Sequence, residues 1–438
     1  MRRPARPGAL GRTAKPQAKR AAAAAPRRRA ARPQPVEQRV LLTATLCLLA
    51  FGAVMVYSAS SARNLLGGYG DGTTYLVRYV GLGALALLGM HLVRRHGYDL
   101  ARRVTGPLLI VSFVLLVLVL TPLGTEVNGA HSWIGPGILS PQPSELMKLA
   151  LVLYCAQFLA RHPRRIQTLG GMMSPVGFVA GAACLLVLIE PDTGTTLVIA
   201  GTVAALLIAA GVPLRQLAIV AGAGLVLVAL LVLVQPYQQE RLTSFLNPWA
   251  EARGSGFQSV QGQIALGSGG LFGVGLGQSV QKVFYLPEAH TDFILAVIGE
   301  ELGLVGVLAV FSLFGMIVWS GLRIARAAAD PYAKLLATGL TSLILCQAIL
   351  NIFVVLGLAP LTGVPLPFVS YGPTNLFVIL AAVGLLLGVC ERSRAGLRLV
   401  DPVRRSSSRD GRAADRDRRR RDGGARRAGA GGRRRAAG

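Results

Sequence analysis

Charge is scarce in this sequence. Charged residues make up 15% of the chain, against ~25% in ordinary soluble proteins, while 52% are hydrophobic. Such a composition excludes a soluble monomer. Cysteine is almost lacking, and the five present (Cys47, Cys155, Cys184, Cys346, Cys390) lie in apolar runs at no metal-like spacing, which excludes a disulfide framework and a zinc site. Acidic residues number 20 against 46 basic ones, for a net charge of +26. That excess sits at the ends: residues 1–39 hold 12 basic and 1 acidic residue, and residues 391–438 hold 17 and 6. The body between them is nearly neutral, so the charge does not mark a nucleic-acid-binding domain. The tails 1–39 and 393–438, rich in Arg, Ala, Gly and Pro without apolar periodicity, are expected to be disordered and to touch anionic membrane lipids.

Long apolar runs are abundant. A bilayer core of ~30 Å needs about 20 mostly apolar residues per helix. Ten such runs are predicted, at 40–61, 76–93, 104–123, 144–161, 173–189, 194–211, 214–234, 291–320, 336–358 and 370–390. With a cytoplasmic N-terminus, the inside connections hold Arg94, Arg95, Arg102, Arg103, Arg161, Arg164, Arg165, Arg215, Arg323, Arg326 and Lys334, whereas the short outside ones hold only Arg63. This bias predicts an all-α integral membrane protein of about ten spans with both termini cytoplasmic.

The acids segregate the other way. Asp71, Glu126, Glu145, Glu190, Asp192, Glu240, Glu251, Glu288 and Asp292 all fall on or near the outer face. The one long connection, about 235–290 between the seventh and eighth spans, is too long for an unstructured link and keeps Trp249, Phe257, Phe272 and Tyr285 to fold with. Its nine glycines between Gly254 and Gly277 lack the strand and helix that a nucleotide cradle requires. They imply close backbone packing or close approach to a ligand.

The polar clusters, read in order, carry a resemblance. They are Asn128-Gly129-Ala130-His131-Ser132-Trp133-Ile134, Gln142-Pro143-Ser144-Glu145-Leu146-Met147-Lys148, Pro191-Asp192-Thr193-Gly194-Thr195 and Arg241 through Asn247-Pro248-Trp249. Then follow Leu286-Pro287-Glu288-Ala289-His290-Thr291-Asp292-Phe293-Ile294, Gly299-Glu300-Glu301-Leu302-Gly303 and Leu366-Pro367-Phe368-Val369-Ser370-Tyr371-Gly372. Over about residues 40–392 this series resembles the FtsW/RodA/SpoVE family of bacterial division, elongation and sporulation proteins, and looks more like its division branch than its elongation branch. The resemblance implies a peptidoglycan glycosyltransferase at the septum. Such an enzyme polymerises lipid II at the outer face of the cytoplasmic membrane, releases undecaprenyl diphosphate, and works with a class B penicillin-binding transpeptidase and other divisome proteins. It also implies that Asp292 corresponds to the catalytic aspartate, and that Glu145, Lys148, Asp192 and Glu288 fall on functionally sensitive positions. Two motifs depart from the family pattern. His131-Ser132 stands where an Arg is usual, and Tyr371-Gly372-Pro373-Thr374-Asn375 replaces Tyr-Gly-Gly-Ser-Ser.

Chemistry can be weighed apart from the resemblance. Joining a sugar hydroxyl to an anomeric carbon that bears a diphosphate needs a base for the hydroxyl and cationic help for the phosphates. Asp292, at the start of the eighth span, suits the base, although a helix-start carboxylate also simply suits the helix dipole. Glu145 and Lys148 are three apart and can pair structurally, or Lys148 can meet a diphosphate oxygen in place of the missing Arg. Asp192 reads as a cap, or as an orienting group for Lys148 or a bound cation. Arg241 and Lys282, flanking the long connection, are either phosphate contacts or solvated charges. Glu300 and Glu301 lie ~12–14 Å deeper and, about 100° apart on the helix, cannot both face the same partner; at least one is expected to face the bundle interior in a structural hydrogen bond. No metal-ligand cluster is present, so a divalent cation (Mg or Mn) would arrive with the diphosphate. The rival readings are a lipid II transporter and a non-catalytic division scaffold.

Overall fold

The computed structural model describes residues 35–66, 72–127, 130–135, 140–283 and 285–393. Both predicted disordered tails lie essentially outside them. The described chain is helical: α1 Val36–Leu66, α2 Thr74–Val119, α3 Pro143–Arg161, α4 Phe178–Ile189, α5 Thr193–Ala209, α6 Leu214–Val234, α7 Pro236–Leu246, α8 Phe257–Ser268, α9 Ile294–Ala327, α10 Pro331–Val355 and α11 Pro373–Ser393. Two short strands, β1 Gly124–Val127 and β2 Ala130–Ile134, pair antiparallel between α2 and α3.

Five helices (α1, α2, α9, α10 and α11) are long and apolar enough to cross a membrane, and α4, α5 and α6 carry shorter apolar runs. Each of the ten predicted spans overlaps one of nine helices, because two of them share α2. That helix has 46 residues, about 69 Å if straight, more than twice a bilayer core. Instead it folds back. Its first turn places Tyr75 against Tyr371, just before α11, and its middle pairs Arg94 with Glu391 and Asp99 with Arg392 at the opposite end of α11. Its end leads into the β hairpin, whose Ser132 returns to the same cleft as Tyr371. The predicted connection at 94–103 is therefore helical throughout, with its arginines at the fold-back.

α10 packs against α9, α5 and α3, and α11 is the most enclosed of the long helices. Val77, Leu88, Ile110, Val117, Leu225 and Leu308 are exposed on the outer sides of their helices. On an integral membrane protein this apolar rim faces lipid.

The long connection folds onto α9 rather than standing off it. Gly303 (φ 65°, ψ −162°) breaks α9 and leaves backbone groups without intrahelical partners. The glycine-rich stretch supplies them: Val274 N and Gly275 N donate to the carbonyls of Glu300 and Glu301 at 2.9 and 3.0 Å, while Leu304 N and Val305 N donate to those of Gly270 and Leu271 at 3.0 and 3.2 Å. A Cβ on Gly273 would stand 2.2 Å from the Glu301 carbonyl oxygen. Close backbone packing thus accounts for Gly269 and Gly273, and positive φ for Gly270, Gly275 and Gly277, whereas Gly254 and Gly267 are uncrowded.

Candidate active site

Segment ends converge on a cleft of about 540 Å³, lined among others by Ser132, Glu145, Asp192, Arg241, Glu288, Asp292 and Tyr371. Five of the seven predicted site residues meet here: Glu145, Asp192, Arg241, Glu288 and Asp292.

Asp292 precedes α9 by two residues, in a segment pinned from α10. The Asn351 side-chain amide donates to the Asp292 carbonyl at 2.7 Å and to the Val364 carbonyl at 2.8 Å. Glu288 holds a left-handed backbone conformation (φ 52°), an uncommon one for a non-glycine residue. The Thr291 hydroxyl lies 2.9 Å from Glu288 Oε2 and 3.1 Å from Asp292 Oδ1 and so bridges the two carboxylates. Burial first, then the Glu288 charge, push the Asp292 carboxyl up to about 7, against smaller opposing pulls from its own backbone N–H, the Thr291 hydroxyl and, least, Arg241. A carboxylate poised near neutrality suits a general base.

Asp192 caps α5, with Oδ1 accepting from Thr195 N at 2.8 Å and Oδ2 from the Gln142 amide at 3.1 Å. Arg241 donates to the Leu361 carbonyl at 3.0 Å from the cleft wall. Glu190, just past α4, is fully enclosed, and burial followed by the Asp192 charge raises its carboxyl to about 9. It is neutral at physiological pH.

Two predicted cations are elsewhere. Lys148 does not line the cleft: it is buried beneath it, with Nζ 2.8 Å from Glu145 Oε1 and 2.9 Å from Gln347 Oε1. Its Nζ is engaged by Glu145 and Gln347 rather than presented to the cleft. Lys282 is also outside the cleft lining. Its Nζ is enclosed 2.6 Å from Glu301 Oε1 and 3.0 Å from Ser58 Oγ, away from the cleft. Glu300 accepts from the Ser279 hydroxyl and from Val280 N, so the two glutamates take different partners as expected. The side chains of Glu126 and His131 lie outside the described residues.

Sequence reasoning passed over Gln347 and Asn351. They stand one turn apart in apolar α10, and an i, i+4 amide pair in a spanning helix was the available signal. The unusual Thr374 and Asn375 prove integral: Asn375 donates to Glu145 Oε2 at 2.9 Å, and Thr374 Oγ1 accepts from Gln142 N at 3.3 Å.

The FtsW/RodA/SpoVE family model, described as "Cell cycle protein", matches residues 38–395. The chain belongs to this family. Stage V sporulation protein E of Bacillus subtilis is 42% identical over 356 residues, covering 81% of this chain and 97% of that protein. A probable peptidoglycan glycosyltransferase FtsW of Trichlorobacter lovleyi is 42% identical over 367 residues, covering 82% and 93%. Among solved structures, a chain of a peptidoglycan synthase complex that coordinates polymerization and crosslinking is similar at TM-score 0.67 and 30% identity, covering 80% of this chain and 96% of that one. The rod shape determining protein RodA of Thermus thermophilus is similar at TM-score 0.59 and 28% identity, covering 80% and 95%. The FtsW/RodA/SpoVE membership spans the whole helical body, including every residue of the cleft.

Proposed function

We propose that the protein is a peptidoglycan glycosyltransferase that polymerises lipid II at the outer face of the bacterial cytoplasmic membrane, in septal wall synthesis. The observation that carries this reading is Asp292, a buried carboxyl raised to about 7 and facing a polar cleft. Asp292 takes the proton of the acceptor sugar hydroxyl, whose oxygen bonds the anomeric carbon of a second lipid-linked saccharide. The electron pair of the broken bond leaves with undecaprenyl diphosphate. Arg241 offers a cation to that diphosphate. Among the described residues no group of three metal-ligating side chains exists, so a divalent cation would be held chiefly by diphosphate oxygens.

The topology behind this reading is ten crossings with both tails cytoplasmic, which puts the cleft outside. The far end of the bundle is tied by ion pairs from Arg94 to Glu391, Arg392 to Asp99 and Arg102 to Asp330, linking the fold-back of α2 to α10 and α11. By analogy with its relatives, the enzyme works with a class B penicillin-binding transpeptidase and other division proteins. The test is polymer formation from lipid II by purified protein, with and without a candidate partner. Glycan strands are expected. Movement of lipid II across liposomes without polymer would instead establish the transporter reading.

A further inference from the structure

In the segment 361–365, which lines the cleft, three carbonyls accept from three different side chains. Leu361 O takes Arg241 Nη1 at 3.0 Å, Val364 O takes Asn351 Nδ2 at 2.8 Å, and Pro365 O takes Gln347 Nε2 at 3.0 Å. Asn351 and Gln347 come from one face of α10, and both are all but fully enclosed. Their other contacts differ. Gln347 Oε1 accepts from Lys148 Nζ at 2.9 Å, whereas Asn351 gives its second amide hydrogen to the carbonyl of Asp292 at 2.7 Å. One amide thus joins the peptide of the proposed base to the segment that anchors Arg241, a cation of the cleft.

Asp292 lies just outside α9, and the helix does not take its carbonyl: Ala296 N, one turn on, donates to Phe293 O at 2.9 Å. The Asp292 peptide is left to Asn351. Which way that amide faces is fixed by its partners, because two carbonyls can only accept and so must meet the nitrogen. Its oxygen is buried and finds no donor among the described residues. A leucine would fill the space without stranding an acceptor, so packing alone does not call for an amide here. What calls for it is the pair of carbonyls, one on each of two segments that line the cleft. The Thr291 hydroxyl, 3.1 Å from Oδ1, restrains the Asp292 carboxylate itself, and Asn351 restrains the peptide that carries it.

We propose that Asn351 is a positioning residue for glycosyl transfer, setting the Asp292 carboxylate at a fixed separation from Arg241 through the segment 361–365. The inference rests on the glycosyltransferase reading above. Misplacing a reacting group by about 1 Å can cost about a hundredfold in rate. In the full chain with its transpeptidase partner, Asn351→Leu is therefore expected to lower kcat for polymerisation about a hundredfold, with KM for lipid II and the number of lipid II binding sites unchanged. Asn351→Ser, which offers one hydroxyl hydrogen to the two carbonyls, should lose less. The decisive comparison is made in Asp292→Asn, whose residual turnover no longer uses the carboxylate. There, either change should cost nothing further. Gln347→Leu, on the same helix face and as deeply buried but bonded to Lys148, should instead lose the same factor with and without Asp292→Asn. Should Asn351→Leu fail to fold, Asn351→Ser carries the same comparison. Unchanged kcat, a loss confined to KM or to the number of binding sites, or a loss repeated in full in Asp292→Asn would overturn the proposal. Absence of polymer from wild-type protein would overturn the glycosyltransferase reading, and this inference with it.

Discussion

Lys282 Nζ lies 2.6 Å from Glu301 Oε1, and both side chains are enclosed, 4% and 0% exposed. The Ser58 hydroxyl completes the set, 2.7 and 2.8 Å from the two Glu301 oxygens. This pair ties α1, the glycine-rich connection and the broken helix α9 together beneath the segment that carries Asp292. Its position explains why a lysine that reads as a loop cation is absent from the cleft.

Removing one partner of a buried pair strands the other, at a cost of about 3–5 kcal/mol, whereas apolar replacement of both is often neutral. Lys282→Ala and Glu301→Gln should each lower the thermal midpoint of the purified protein markedly. Lys282→Met combined with Glu301→Leu should recover much of the loss. Singles as mild as the double variant would show that the two charges do not depend on each other.

The same reasoning applies to Lys148 and Glu145, with a different readout. Lys148→Ala leaves the Glu145 carboxylate, 1% exposed, with the Asn375 amide as its remaining described partner and adds an uncompensated charge to an already acidic cleft. Turnover should fall strongly, and adding Glu145→Gln should restore folding and part of the turnover. Loss undiminished by the second change would mean that Lys148 serves the substrate directly.

The helices and the cleft were legible in the sequence to different degrees, for identifiable reasons. Apolar length alone located the spans, because a bilayer demands it. The same signal could not foresee that α2 stays helical through Arg94–Arg103, since nothing there breaks a helix sharply, nor that residues 124–134 pair as a short hairpin carrying Ser132 to the cleft. Asp192 as a cap and Glu145 with Lys148 as an i, i+3 pair were readable because both are local. The place of Lys282 was not legible because its partners come from other segments of the fold, one of them 224 residues away.

Orientation has its own test. Ser255 lines the cleft, whereas Ser407 belongs to the basic C-terminal tail. A single cysteine at 255 should react with a membrane-impermeant reagent in intact cells, and one at 407 should react only after permeabilisation. Labelling of 407 in intact cells would put the cleft on the cytoplasmic face, where the proposed chemistry has no substrate head group to meet.

Asp292 links acidity to both rate and stability. Its carboxyl is raised to about 7 in the folded protein, above the ~3.9 of an unfolded aspartate, so the folded state holds an extra proton between those values. Stability from this group is therefore fullest below pH ~4, declines as pH rises toward about 7, and is level above it. The rate runs the other way, because only the ionised form accepts the sugar proton: polymerisation should fall about tenfold per pH unit below 7. Asp292→Asn keeps the shape but cannot ionise. It should reduce polymer formation by at least about two orders of magnitude. It should also melt at a higher temperature than wild type at pH 8, with that advantage vanishing toward pH 4. A variant that polymerises at near wild-type rate would remove Asp292 as the base. A pH-independent difference in melting would show instead that its carboxyl is ionised across the range and that burial does not hold its proton.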